Sequence, residues 1–255
     1  MVSRFVRAPV PDLPETGPRD AWVRDRPGTA AAGPSSPGWG FNGRAGRRRA
    51  RPGATWERVA KVQWIQEFRD DIRRFERYQR GASALVLVGM HQGLWAMLQY
   101  RIAHAIYRSR MPGIVKQPLL VLAVVWQKLV EVTTGISIKY RTRIGTGFYI
   151  GHFGNIFLGP DVVIGPMCNI SQGVTSGVSG RGERRGYPTL GERVYVGANA
   201  IIAGKLTIGD GAVIGANSLV TQDVPPNAVV VGSPLKIISY KGSAAYLDPE
   251  AGTGN

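Results

Sequence analysis

The sequence predicts a mainly β protein, a parallel β-helix of hexapeptide repeats preceded by a small α-helical domain and a disordered N-terminal tail. Three observations predict it. From about residue 135 aliphatic residues return at every sixth position; between 56 and 134 they return at spacings of three and four; and residues 1 to 55 are rich in proline, glycine and arginine. With 255 residues and 44% hydrophobic content, the chain can bury a substantial core.

The tail, residues 1 to 55, holds 8 of the 17 prolines, the stretch "GTAAAGPSSPGWG" and the cluster "RAGRRRAR". Such a composition buries too little apolar surface to offset chain entropy. Its 10 arginines against 4 acidic residues supply part of the formal charge of +15. Basic runs are usually solvated charge, and no nucleic-acid partner is expected. The tail contains no continuous apolar segment of the signal-peptide kind, so a cytoplasmic location is expected. The lone Cys168 excludes an internal disulfide framework and a multi-cysteine metal site.

Residues 56 to 134 are read as the α-helical domain. "WIQEFRDDIRRFERYQ" sets Trp64, Ile65, Phe68, Ile72, Phe75 and Tyr78 along one stripe. "LWAMLQYRIAHAIYRS" and "LLVLAVVWQKLVEV" are two further helices, separated by "MPG" and by Pro118. The apolar run Leu119 to Trp126 is far shorter than the roughly 20 residues needed to span a bilayer and is read as a buried or interfacial helix. Packing onto a partner domain or subunit is expected, with peripheral contact at the inner membrane as the alternative.

Residues 135 to 240 carry the period of six. Ile138, Ile144, Ile150, Ile156, Val162, Cys168 and Val174 form one unbroken series; Leu190, Val196, Ile202, Ile208, Ile214 and Val220 form a second. Aliphatics at this period stack inside a three-sided parallel coil, with glycines at corners where a side chain would collide or φ must be unusual. A prism so filled has no room for an internal pocket, so ligands must bind outside. The two series are 16 residues apart, not a multiple of six, which marks 176 to 188 as an extruded loop. Residues 241 to 255 are a C-terminal tail. On so regular a scaffold the irregular features are the candidates for function: the loop, and the histidine in "YIGHFGNIFLGP".

The blocks "IGTGFYIGHFGNIFLG" and "NISQGVTSGVSGRGERRGYPTLGERVYVGANAIIAGKLTIGDGAVIGANSLVTQDVPPNAVVVGSPLK", with the preceding "QYRIAHAIY", resemble the serine acetyltransferase branch of the left-handed β-helix acyltransferases over roughly residues 65 to 242. Within that branch the wording is most similar to the serine-acetyltransferase-like proteins of exopolysaccharide clusters, the colanic acid acetyltransferases among them. Left-handed coiling is implied by the resemblance alone, since connections between parallel strands are usually right-handed.

The resemblance implies an acetyl-CoA-dependent O-acetyltransferase with His152 as general base. An alkanol is a poor nucleophile until its proton is taken as the new C–O bond forms, and imidazole is the side chain whose ordinary pKa lies nearest neutrality. His91 and His104, in helical stretches, are read as packing or surface residues. By the resemblance, acetyl-CoA lies along the outside of the prism between two subunits. Gly177, Ala198 and Ala216 offer backbone groups to its pantetheine arm, and Lys236 meets its nucleotide phosphates. A homotrimer is implied, with a dimer of trimers left open.

The departures bear on the acceptor. The carboxylate that orients the histidine in serine acetyltransferases falls at Ser137 here, the aspartate preceding the histidine at Gly151, and the second histidine, in the loop, at Tyr187. The acid that holds the serine amine falls near Asp70, Asp71 or Ile72. Tyr187 can donate a hydrogen bond to the acceptor or the tetrahedral oxyanion. Arg184 or Arg185 can engage a carboxylate or phosphate. With the amino-acid-reading groups replaced and Tyr149, Phe153 and Tyr187 near the site in sequence, the expected acceptor is a hydroxyl of an envelope or exopolysaccharide saccharide or its precursor. The alternative is L-serine, the entry to cysteine biosynthesis. A zinc-dependent hexapeptide enzyme would need three histidines where the repeats hold only His152, and no metal is expected.

Overall fold

The computed structural model describes residues 54–79 and 81–248. The expected disordered tail lies, but for its last two residues, outside the described residues, as does the C-terminal tail beyond Asp248. Four helices come first: α1 (Ala54–Tyr78), α2 (Ala84–Met90), α3 (Gln92–Arg108) and α4 (Gly113–Thr134). The α1 stripe is used as its spacing requires, with Phe75 buried against Leu87 and Leu94 and with Phe68 and Ile72 packed beside them. The sequence pattern did not separate α2, a short helix that opens on the Ser83 cap. Pro118 does not break the chain either. It is the sixth residue of α4 and lies on the exposed side, so a single hydrogen bond is forgone where water can replace it.

The β-helix is wound from fifteen short strands. The first coil is β1 (Ile136–Ile138), β2 (Arg143–Ile144) and β3 (Tyr149–Ile150); the second is β4 (Ile156–Leu158), β5 (Val163–Ile164) and β6 (Asn169–Ile170). The third is β7 (Thr175–Gly177), β8 (Thr189–Leu190) and β9 (Tyr195–Val196), and the fourth is β10 (Ile201–Ala203), β11 (Thr207–Ile208) and β12 (Val213–Ile214). Then come β13 (Leu219–Val220), β14 (Val229–Val231), β15 (Lys236–Ser239) and the short α5 (Ala244–Leu247). Parallel pairing makes three faces: sheet A from β1, β4, β7, β10 and β13; sheet B from β2, β5, β8 and β11; and sheet C from β3, β6, β9, β12 and β14, closed by an antiparallel β15.

All thirteen residues of the two predicted series are buried, none more than 8% exposed. Their register, however, is not a continuous row. Ile138 pairs with Leu158 across 20 residues, Leu158 with Ser176 across 18, Ser176 with Ile202 across 26, and Ile202 with Val220 across 18. Tyr149 and Asn169 are still 20 apart whereas Phe157 and Thr175 are 18 apart, so the first coil carries two extra residues between Ile150 and Ile156. The unbroken run of sixes therefore changes rows at that corner. It passes unnoticed because each side of the coil buries two residues, two positions apart, and a shift of two exchanges one buried row for the other. The extruded loop likewise begins later than expected. Ser176 is an inward residue of β7, 1% exposed and with an unpartnered hydroxyl, and the extrusion proper is 178–188.

Collision, rather than unusual φ, explains the repeat glycines. A Cβ at Gly165 would stand 2.4 Å from the Gly191 carbonyl oxygen of the next coil, and one at Gly209 would stand 2.4 Å from Pro226 N. Positive φ falls at other corner positions, several of them asparagines: Asn155, Asn199, Asn217 and Asn227.

The three faces are dressed differently. On sheet C, Tyr149 stacks on Tyr78 (4.3 Å between centroids) and packs on Phe75 (4.5 Å). Tyr195 is covered by Tyr246 of α5. Sheet B turns Arg143, Thr189 and Thr207 to solvent. Sheet A turns out Phe157, Ile201 and Leu219, all exposed. The helices are fastened to the prism by Asp71 and Arg101, both buried: a two-pronged ion pair of 2.9 and 3.0 Å, with Phe148 N–H donating to the carboxylate (3.0 Å) and Arg101 donating to the Ile144 carbonyl (2.8 Å). Burial pushes the Asp71 carboxyl up to about 6, against the pull of Arg101.

Candidate active site

The edge between sheets C and A is a stack of corners. Gly173 N–H donates to the Gly154 carbonyl (3.0 Å), Asn199 N–H to Gln172 (2.9 Å) and Asn217 N–H to Ala198 (2.8 Å), so the corners at 151–155, 171–174, 197–200 and 215–218 form one ladder. The two-residue insertion lies at its first rung. Room for two more residues exists only outside the filled prism, and that is where His152 and Phe153 go, both exposed; Gly154 and Asn155 return the chain with φ of 103° and 52°. His152 makes no hydrogen bond to the described residues. Its imidazole is free to meet a ligand.

Ala198 and Ala216 lie below His152 on the same edge. The Ala198 carbonyl is taken by Asn217, so its N–H is the group left to a ligand. Lys236, exposed at the start of β15, follows the turn after β14 on sheet C. The other predicted residues stand elsewhere. Gly177 ends β7 at the edge between sheets A and B, and the loop leaves from there. Ser179 and Gly186 exchange backbone hydrogen bonds of 3.1 and 3.3 Å that close its neck, and Gly182–Arg184 form a 3-10 turn at its tip. Arg185 is exposed, and the Arg184 side chain lies outside the described residues. Tyr187 is half-buried over Gly159, where a Cβ would come within 2.7 Å of its ring. His152 and Tyr187 thus occupy opposite ends of β4, and one chain does not bring them together.

Two expectations need correction. Tyr149 is a packing residue held between α1 aromatics, not a site residue. Its ring also accounts for Gly151: a Cβ there would stand 2.8 Å from Tyr149 Cε1, so an aspartate before the histidine has no place while Tyr149 keeps its stack. Two of the three positions proposed to hold an amine are not available either. Asp71 is spent on Arg101 and Ile72 packs in the α1 core, which leaves Asp70, a partly exposed carboxylate beside Arg73 (3.0 Å).

At Ser137 the structure supplies what the sequence reading missed. Ser137 Oγ donates to Glu131 Oε1 at 2.5 Å; Gln127 (2.6 Å), Lys128 (2.6 Å) and Lys139 (3.0 Å) donate to the same carboxylate. Burial alone would raise the Glu131 carboxyl, but these donors, Lys128 foremost, outweigh it and hold the group at about 2. The pair adjoins the His152 corner. Ser137 is paired with Phe157, and the backbone at Gly135 abuts Gly154 and Asn155 so closely that a Cβ would come within 2.9 Å. The available signal was that Glu131 is the only acid of α4, three residues before its end.

The other two histidines and the cysteine are structural. His91 packs on Phe75, and His104 Nδ1 lies 2.8 Å from the Tyr140 carbonyl; burial lowers the pKa of both. The buried Cys168 thiol is pushed up to about 12, which makes it unreactive. Among the described residues no group of three His, Cys, Asp or Glu could hold a metal.

Residues 187–222 match the family model of the bacterial transferase hexapeptide (six repeats). The serine acetyltransferase of Synechococcus elongatus is 34% identical over 175 residues, covering 69% of this chain and 68% of the relative; that of Helicobacter pylori is 36% identical over 150 residues, covering 59% and 83%. Among solved structures, the Neisseria gonorrhoeae serine acetyltransferase in complex with serine superposes with a TM-score of 0.62 at 29% identity, covering 72% of each chain. A serine acetyltransferase in complex with CoA superposes with a TM-score of 0.60 at 29% identity, covering 71% of this chain and 72% of the other.

Proposed function

Because the chain belongs to the serine acetyltransferase family of hexapeptide-repeat transferases and is an O-acetyltransferase, we propose that it moves the acetyl group of acetyl-CoA to the hydroxyl of L-serine, with His152 as general base. One observation carries the mechanism. The first coil spends two extra residues to put an unpartnered imidazole outside the prism, at the head of the edge that also bears Ala198 and Ala216. The neutral imidazole takes the hydroxyl proton as the oxygen bonds to the thioester carbonyl carbon. The C–S bond then breaks, and the leaving thiolate recovers that proton from the imidazolium, so acid and base are one group.

Ser137 takes the place of an orienting carboxylate. Its hydroxyl proton is committed to Glu131, so toward the histidine corner it offers only lone pairs, as an aspartate would, and Glu131 holds it in that role. We assign Ser137 and Glu131 to positioning, not to catalysis.

The site takes its second wall from another copy. Sheet A is the one face that is apolar outside and carries a proposed site edge on either side. Three prisms with sheet A turned inward bring the His152 edge of each against the Tyr187 and Gly177 edge of the next, which is a closed, threefold arrangement. In it the pantetheine arm runs past Ala198 and Ala216 of one chain and Gly177 of its neighbour, with the nucleotide phosphates toward Lys236.

The names of the relatives support serine over the saccharide hydroxyl expected from the sequence departures. The saccharide reading keeps one specific support. Asp71 is spent on Arg101 and Gly151 is shielded by Tyr149, so neither of these positions offers a carboxylate to a serine ammonium, while Phe153 offers an exposed aromatic face beside His152. A coenzyme-release assay comparing L-serine with saccharides and their precursors decides between them. Turnover of serine at submillimolar concentration is expected; silence with serine alongside activity on a glycan would reverse the assignment of acceptor while leaving the base in place.

A further inference from the structure

The sequence pattern divides this region at Pro118, which leaves an apolar run too short to span a bilayer; the continuous α4 of 22 residues is long and apolar enough in composition to cross one. Its inner side packs within the chain. Ala123, Gln127, Val130 and Thr134 are buried, Gln99 Nε2 donates to the Ala123 carbonyl (3.0 Å), and Gln127 is tied to Glu131. The outer side is bare. Ile114 and Val132 are 85% exposed, Leu122 64%, Val121 and Leu129 63%, and Val125 55%. At 100° per residue these six fall within one arc of about 100°.

We propose that this face of α4 docks on a bilayer surface rich in anionic lipid, lying in the plane of the interface and not spanning it. Spanning would strip Glu131 of Ser137 and Lys139 and pull Val130 out of the core shared with β1, so only the outer arc is free to enter lipid. The composition of the arc fits hydrocarbon better than protein. It is aliphatic throughout, with none of the tyrosine, tryptophan, methionine or arginine that anchors protein interfaces, and Trp126 is turned inward against the core. Charge selects the kind of surface. Arg108 and Arg110 are exposed just before the N-terminal end of α4, and neither is paired with an acid among the described residues. Beside them Lys116 lies 5.6 Å from the centre of the partly exposed Tyr107 ring, a cation with an aromatic at headgroup level. Between residues 84 and 134 the one acid is Glu131, already occupied by four donors.

The test uses the purified full-length chain, sedimented with phosphatidylcholine vesicles with and without phosphatidylglycerol. Binding to the phosphatidylglycerol vesicles is expected, weakened by salt and by Arg110→Glu, and reduced about tenfold or more by either Val121→Asp or Leu129→Asp. Both positions are solvent-facing, and each variant is checked for unchanged thermal unfolding and coenzyme release. No binding by the parent chain overturns the proposal. So does binding that both aspartate variants retain in full, which would place it in the basic N-terminal segment. A fall in particle mass by light scattering in those variants, with vesicle binding unchanged, would show that a second copy covers α4 instead.

Discussion

The fourth coil and the first are made from the same repeat, yet they serve different ends. From Ile202 to Val220 the fourth takes 18 residues to return, extrudes nothing and buries every inward side chain. The first takes 20 and the third 26, and each surplus lies at an edge, one carrying His152 and Phe153 and the other Arg185 and Tyr187. The difference shows where this architecture can hold chemistry. A filled prism leaves no room for a ligand inside, so function is confined to residues that the repeat does not need.

That contrast predicts a clean separation of activity from stability. The largest effect should come from His152→Ala, a loss of about two to four orders of magnitude in turnover with an unchanged melting temperature, because the residue touches nothing that the fold uses. Full activity in a coenzyme-release assay would end the general-base assignment. In the fourth coil the opposite holds. Ile202→Ala should cost about 2 to 5 kcal/mol by denaturant unfolding, because the fully buried side chain leaves a cavity between stacked coils that cannot collapse.

The two extruded edges can be tested against each other. In the threefold arrangement proposed above, assemblies mixed from equal amounts of His152→Ala and a chain lacking 180–185 should recover about a quarter of wild-type activity, since half of the histidine edges and half of the loop edges are intact and meet at random. Each variant alone should be inactive. If the mixture stays inactive as well, the site lies within one chain.

The smallest effect belongs to Glu131. Glu131→Gln should lower turnover several-fold with little change in acceptor KM, because in the proposed site it acts on the base only through Ser137. Its pH signature is separate. The folded carboxyl titrates at about 2, below its ordinary 4.5, so the carboxylate stabilises the fold above pH 4.5 and that contribution is lost as pH falls through 2. The glutamine variant should lose the part of the acid-induced weakening that falls in this window, as followed by unfolding at stepped pH.

Much of this was legible in the residues. The period of six named the architecture because a three-sided coil must present an aliphatic at each strand, and all thirteen such positions are buried. The glycines, the loop and the lone repeat-domain histidine were legible for the same reason, as entries in or interruptions of a strict pattern. What the pattern concealed was the two-residue insertion beside His152, since a shift of two exchanges one buried row for another and leaves the period intact.

By itself, then, the sequence determined the coil, its contents and the place of its one exposed imidazole. Only the tertiary structure decided which groups are free to take part. It committed Asp71 to Arg101, closed the space at Gly151 with the Tyr149 ring, and brought Glu131 to Ser137 from the end of a helix. It also set His152 and Tyr187 on different edges. The physical reason is range: a repeat is a local rule that each residue obeys with its neighbours, whereas the hydrogen bonds at Glu131 and Asp71 join groups 6 to 77 residues apart, and no periodicity records them.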